Sequence, residues 1–239
     1  MTNLTFKEKI KNFLYKYKPR LVKIFFNKGS FDITELLKIL PSNPVILEIG
    51  ASVGLHTVQF RGLFSNAIIH SFEPAPQNFK KLLHKTQDLG IYCHNIALGS
   101  FNGTSKFYIS TSQAKNADSS SLYKPTKHLE IMPEIVFNET IKVQIQTLEE
   151  WTIKNSISKI DFLWIDTQGS ELDILKNAGS ILDTVKAIHL EVNFVQLYEN
   201  IPLYDQIKFF LESQGFIVFK ELFQEDSVQG DVVFIKKYQ

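Results

Sequence analysis

Apolar positions along the chain follow two patterns that alternate. Short, largely apolar runs at Val45–Ile49, Ala67–Phe72, Ile91–Asn95, Ile160–Ile165 and Val185–Val192 read as strands, the first of them buried. Between them, apolar residues recur at three- and four-residue spacing. This predicts helices over Gly54–Leu63, from Pro76 onward with Phe79, Leu82 and Leu83 on one face, and over Leu148–Lys154. Further helices are expected over Glu171–Ala178, capped by Gly179, and over Leu203–Ser213. A helix over Thr34–Leu40 precedes the first strand, with the break Pro41-Ser42-Asn43-Pro44 between them. At the end of the chain, Phe216–Lys220 and Asp231–Lys236 predict an antiparallel pair joined by a loop at 222–230. Such alternation with short connections predicts an α/β fold, its mostly parallel sheet covered on both faces.

One region breaks the rhythm. Residues 98–147 read as an insertion before the fourth strand of the sheet. Within it, Asn102-Gly103 suggests a turn between two β segments, and Ile141–Ile145 alternates as a half-exposed strand. Residues 111–140 carry no pattern, and 111–128 are rich in serine. A loop of that length in a compact domain is functional or mobile, so a lid over the substrate is expected there. The organisation predicted is an N-terminal helical extension, 1–40, and a single domain, 41–239.

Composition narrows the class. With 44% hydrophobic and 21% charged residues, the 239-residue chain is globular in composition. No apolar run approaches the ~18 residues of a spanning helix. The first residues lack the h-region of a secretory signal, and Cys93 alone can form neither an internal disulfide nor a thiolate zinc cluster. A cytoplasmic location is expected. The net charge of +1 does not suggest a nucleic-acid partner, yet residues 1–28 carry +7. Phe6, Ile10, Phe13, Leu14 and Tyr17 make one apolar stripe in that segment, which Pro19 should end. This basic helix is expected to pack across the domain, or to meet an anionic membrane surface or a second subunit.

In parallel sheets ligands bind beyond the carboxyl ends of the strands, so the residues that follow each strand hold the candidate chemistry. The first strand leads into Glu48-Ile49-Gly50-Ala51-Ser52-Val53-Gly54-Leu55-His56. Gly50 permits a tight turn with close backbone approach, and Gly54 lets the next helix start close to the sheet. The second strand ends in Glu73-Pro74, 19 residues beyond Gly54, where an acid can accept hydrogen bonds from both ribose hydroxyls. Together they imply a nucleoside cofactor. Ser52 stands where a dinucleotide fingerprint has glycine, and Glu48 would repel a diphosphate. A cofactor with an ammonium group and no phosphate fits better, a description S-adenosylmethionine meets.

The segments EIGASVGLHT, SFEPAPQNFKKL, NIALGSFNGTSKFYIS, VQIQTLEEW, IDFLWIDTQGSELDIL and HLEV resemble the FkbM family of class I methyltransferases over roughly residues 44–236. Asp166-Thr167-Gln168-Gly169-Ser170-Glu171 is similar to that family's D-x-x-G-x-E signature, with Thr167-Gln168 where Val-Glu is common. The resemblance implies a doubly wound, Rossmann-like sheet of seven strands that binds S-adenosylmethionine. It places the methionine part against Glu48, Gly50, Ala51, Ser52, Gly54, His56 and Thr57, and the ribose against Glu73 and Pro74. The adenine would lie by Asn95, Ala97 and Leu98, with Asp166 completing the site. The acceptor it implies is a hydroxyl on a sugar, nucleotide sugar or related small polar metabolite, in glycan or natural-product biosynthesis.

Taking a proton from such a hydroxyl needs a base or a metal. Asp166 and Glu171 are candidates, with helix capping and a helix-dipole contact as their ordinary roles. His189, Glu191 and Asn193 bring polar side chains to one face of an otherwise apolar strand. Glu191 is therefore a further catalytic candidate, and a divalent ion held by Asp166, Glu191 and Asn193 is conceivable, since hard cations take carboxylate and amide oxygens. His56 is the remaining base candidate. His70, His84, His94, Cys93, Trp151 and Trp164 read as structural or surface residues. Two other classes stay open on these residues: a nicotinamide-dependent oxidoreductase, and a non-catalytic module docked to a membrane or partner.

Overall fold

The computed structural model describes residues 31–112 and 119–237. The basic N-terminal helix expected within 1–28 lies outside the described residues.

Among the described residues there are ten strands: β1 (Val45–Ile49), β2 (Ile68–Phe72), β3 (Tyr92–His94), β4 (Ala97–Leu98), β5 (Gly103–Ser112), β6 (Ile135–Gln146), β7 (Phe162–Ile165), β8 (Ala187–Asn193), β9 (Phe216–Leu222) and β10 (Gln229–Lys236). Helices are α1 (Leu55–Leu63), α2 (Pro76–Thr86), α3 (His128–Ile131), α4 (Leu148–Lys154), α5 (Glu171–Lys176) and α6 (Tyr204–Ser213). Two 3-10 helices, Ile33–Lys38 and Gly179–Thr184, complete the described elements. The first is tighter than the α-helix expected at 34–40, and the second was not anticipated.

Seven strands form one sheet in the order β3-β2-β1-β7-β8-β10-β9, in which only β10 runs against its neighbours. Strand order reverses at β1, which is flanked by β2 and β7 in parallel register, for example Glu48 with Ser71 and with Trp164. A doubly wound sheet opens its crevice at such a switch point. The alternation of side chains across β1 and β7 divides the core. Leu47, Ile49, Leu163 and Ile165 pack on one face with Trp151 and Leu172. Ile46, Phe162 and Trp164 pack on the other with Phe60 of α1 and with Phe31, Ile33 and Leu36.

The insertion is more ordered than its sequence suggests. β4 pairs in parallel with β6, and β5 pairs antiparallel with β6 on its other edge. The turn at Asn102-Gly103 thus joins two strands that are separated by a third, not the two arms of a hairpin. β6 begins at Ile135, inside the stretch expected to be irregular, because only its 141–145 end alternates visibly. Beyond the undescribed residues 113–118, Ser121 bridges Tyr108 and Pro125 bridges Tyr198. Tyr123, Met132 and Phe137 pack on Leu197, Tyr198 and Ile201, so the 119–137 part of the insertion docks on the segment after β8. Leu83, expected on the buried face of α2, is instead 44% exposed, while Leu82 is fully buried.

Candidate active site

Three loops converge at the switch point. The first leaves β1 at Gly50, whose φ of 90° suits glycine. A Cβ there would stand 1.7 Å from the carbonyl oxygen of Asp166. The close approach that Gly50 permits is thus to the third loop's backbone, not only to a ligand. The amides of Gly50 and Ala51 both donate to the Phe72 carbonyl, at 3.1 and 2.8 Å. Ser52 adopts φ 46° and donates its amide to Glu73 Oε2 at 2.9 Å, while Ala75 donates to Glu73 Oε1 at 2.7 Å. The second loop is therefore tied to the first through the buried Glu73 carboxylate. Gly54 answers a different packing need from the one expected: a Cβ there would meet Leu82 of α2 at 2.6 Å, so it sets the approach of α1 to α2.

The third loop follows β7. Glu171 is buried, and its carboxylate accepts from the Thr167 amide at 2.9 Å, the Thr167 hydroxyl at 2.8 Å and the Gly169 amide at 3.0 Å. Burial pushes its pKa up, and these hydrogen bonds oppose the rise. Glu171 therefore holds the loop from behind and does not line the cleft, which places it away from the catalytic position expected. The N-cap of α5 is Ser170, not Asp166. Capping does not account for Asp166, which lies on the cleft wall.

The cleft between these loops opens to solvent, with about 840 Å³ of empty space counted out to its mouth. Of the residues expected to hold a cofactor, Gly50, Ala51, Ser52, His56, Glu73, Pro74, Ala97, Leu98 and Asp166 line it. Glu48, Gly54, Thr57 and Asn95 do not. Glu48 points to the α1 face, where the Thr57 hydroxyl and the Ser71 hydroxyl donate to it, the latter at 2.9 Å. Burial pushes Glu48 up to about 7. Asn95 is a buttress: its Nδ2 donates to the Glu73 and Pro74 carbonyls at 2.8 and 3.0 Å. The described lining residues include two acids, Glu73 and Asp166, and neither lysine nor arginine. That charge balance favours a cationic ligand over a diphosphate.

Beside the cleft the α1 face carries a stack of rings. His56 lies on Trp164 with centroids 4.3 Å apart, and Trp164 lies flat on His189 at 3.5 Å. Burial lowers His56 to about 4, so its ring is neutral near pH 7. Burial also holds His189 well below its ordinary value, and its Nε2 sits 3.7 Å from Asp231 Oδ1. Trp164 is thus a wall between two imidazoles, more than core filling.

The metal set suggested by sequence does not fit. Gln168 Nε2 donates to Asp166 Oδ1 at 3.0 Å and also to Glu191 Oε2, so N–H donors stand between the two carboxylates. Gln229 Nε2 adds a further donor to Glu191 at 3.1 Å. Asn193 Oδ1 is buried without a hydrogen-bond partner among the described residues. No group of three or more His, Cys, Asp or Glu is arranged to hold a metal among the described residues. Burial, then the charges of Asp166, Asp231 and Glu171, hold Glu191 well above the usual carboxylate range. Glu191 lies behind Gln168, off the cleft wall.

Sequence reasoning passed over Gln168, Phe107, Ser120 and Leu122, all of which line the cleft. Phe107 comes from β5 and the other two from the serine-rich stretch, which has no periodicity to place them. Gln168 was legible only as a departure within its motif.

Comparison with known proteins agrees with this geometry. Residues 48–218 match the family described as the methyltransferase FkbM domain. The 2-O-methyltransferase NoeI of Sinorhizobium fredii is 30% identical over 166 residues, which cover 67% of this chain and 68% of that one. Methyltransferase sdnD of Sordaria araneosa is 25% identical over 229 residues, covering 84% and 83%. Among solved structures, the fibrillarin pre-rRNA processing protein of Methanococcus jannaschii shares the fold, with a TM-score of 0.51 and 14% identity, over 89% of this chain and 77% of that one. The family match decides against the nicotinamide-dependent and non-catalytic alternatives. On that match, which spans more than half of the chain, the chain belongs to the FkbM family of S-adenosylmethionine-dependent methyltransferases.

Proposed function

We propose that the protein methylates a hydroxyl oxygen of a sugar, a glycan or a related small polar acceptor, with Asp166 as the acceptor-facing acid. The observation that carries this reading is the division of labour between the two acids of the cleft. Both oxygens of Glu73 accept backbone amides, which holds them rigid for hydroxyl groups of a ribose. Asp166 lies on the same wall but leaves a different strand, beside Gln168. The name of the relative NoeI, a 2-O-methyltransferase, supports oxygen as the acceptor atom.

The cleft fits S-adenosylmethionine by its chemistry. Gly50, Ala51 and Ser52 would take the methionine part, Glu73 the ribose, and the apolar wall of Ala97 and Leu98 the base. When bound, the cofactor supplies an electrophilic methyl group on a positively charged sulfur. The chain's own residues orient the acceptor oxygen in line with it, the main source of acceleration in such a displacement. The Asp166 carboxylate would take the proton that the acceptor hydroxyl gives up as its oxygen is methylated. Neutral His56, on the same wall, can accept a hydrogen bond from the acceptor, and its ring rests on Trp164.

Methyl-labelled S-adenosylmethionine, incubated with neutral oligosaccharides and with nucleotide sugars, tests the reading. An O-methyl carbon resonance on a saccharide ring supports it. Label that appears only on nitrogen or carbon acceptors overturns it.

A further inference from the structure

We infer that Gln168 is a positioning residue whose amide takes the place a divalent cation would occupy between Asp166 and Glu191, so that this carboxylate pair works with a neutral bridge. Two carboxyl groups held this close repel each other once both are ionised, unless something positive stands between them. Here the two N–H bonds of one amide supply that positive edge, one to each acid. The amide is not free to turn away. The Tyr198 hydroxyl lies 3.0 Å from Gln168 Oε1, and Gln229 Nε2 lies 3.4 Å from it. The Gln168 backbone is pinned as well: its carbonyl accepts the Ser121 hydroxyl at 2.7 Å, and its φ of 58° lies in the left-handed region that a non-glycine residue seldom adopts. The side chain is buried, at 6% exposure.

The partners that fix Gln168 come from three places in the chain: the insertion (Ser121), the segment after β8 (Tyr198) and β10 (Gln229). The docked insertion therefore has a specific task beyond covering the cleft. It orients the amide that sets the spacing of the acids. A carboxylate at position 168 would put a third acidic group in the same space and would create, with Asp166 and Glu191, an oxygen-ligand set suited to a hard cation.

The inference rests on the reading of Asp166 as the acceptor-facing acid only for its consequence in catalysis. Cation binding is measured without acceptor, so the two can fail separately. The test is calorimetric titration of chelator-treated, desalted full-length protein with Mn²⁺, with thermal melts to confirm folding. Wild type is expected to show no saturable Mn²⁺ binding that depends on Glu191. Gln168→Glu should bind one Mn²⁺ at least about tenfold tighter than wild type, since ligand charge sets cation affinity. Adding Glu191→Gln to that variant should remove the gain. S-adenosylhomocysteine affinity of wild type should be the same in chelator and in excess Mn²⁺. Wild-type binding of Mn²⁺ that Glu191→Gln abolishes would overturn the inference, as would a folded Gln168→Glu variant with no gain. If Gln168→Glu does not fold, wild type against Glu191→Gln decides alone.

Discussion

Gly50 and Asp166 meet backbone to backbone: a Cβ on Gly50 would lie 1.7 Å from the Asp166 carbonyl oxygen. The loop that follows β1 and the loop that carries Asp166 are thus one mechanical unit. Gly50→Ala should cost at least about 2 kcal/mol, because the overlap with rigid backbone adds to positive-φ strain. Gly90 is a fair comparison, since its φ is also positive, at 61°, and nothing lies within 4 Å of a Cβ there. Gly90→Ala should cost only about 1 kcal/mol. Urea denaturation of both variants checks this, and equal losses would deny the contact.

Glu73 holds Ser52 and Ala75 by their amides while facing the cleft. Glu73→Ala should weaken S-adenosylhomocysteine binding by about 1–3 kcal/mol, the range for hydrogen bonds to a charged group. Calorimetry on a variant with native circular dichroism measures it. Unchanged affinity would take Glu73 out of the cofactor site.

Glu171 acts on the fold more than on the reaction. Its carboxylate satisfies the Thr167 and Gly169 amides in a buried loop. Glu171→Ala leaves those donors unpaired and should destabilise the protein by about 1–3 kcal/mol. Differential loss is the diagnostic. The melting temperature should drop, and S-adenosylhomocysteine affinity should recover fully at low temperature.

Glu48 predicts a pH dependence of stability. Its pKa rises from 4.5 to about 7 on folding, mainly through burial. Between those values the folded protein keeps a proton that the unfolded chain has lost. Stability from this group is therefore complete below about pH 4.5 and declines, by roughly 3 kcal/mol in total, as pH rises to about 7. His56, His70 and His94, lowered to about 4, act in the opposite sense over a similar range. The comparison of wild type with Glu48→Gln isolates the glutamate. The variant should gain relative stability between pH 4.5 and 7 in urea titrations, with S-adenosylhomocysteine affinity little changed because Glu48 lies off the cleft. A pH-independent difference would mean that Glu48 is ionised in the fold.

The sheet and its order of elements were legible because β1, β2, β7 and β8 are apolar runs with glycine, proline or acid at their ends. The part of the cleft beyond β1 and β2 was legible for the same reason, since a turn at Gly50 and an acid at Glu73 are local signals. Glu48, Thr57 and Asn95 were misplaced because a sequence shows that a polar residue is near a strand end but not which way it faces. Glu48 shares a face with Trp164 and Ser71 through register, and register is long-range. The part of the cleft around Gln168 was least legible. Gln168 owes its position to Ser121, Tyr198 and Gln229, each at least 30 residues away in sequence, and no local pattern marks any of them.

Asp166 carries the central claim, and one paired measurement on Asp166→Asn addresses it most directly. Asparagine keeps the size and the polar contacts of the side chain but cannot take the hydroxyl proton. S-adenosylhomocysteine affinity, by calorimetry, should stay within about threefold of wild type, because asparagine keeps the contacts of the side chain. Methyl transfer to the saccharide acceptor, in single turnover with saturating S-adenosylmethionine, should fall by about 10²-fold or more, the scale of lost general-base help. Transfer at the wild-type rate, with cofactor affinity intact, would contradict the account.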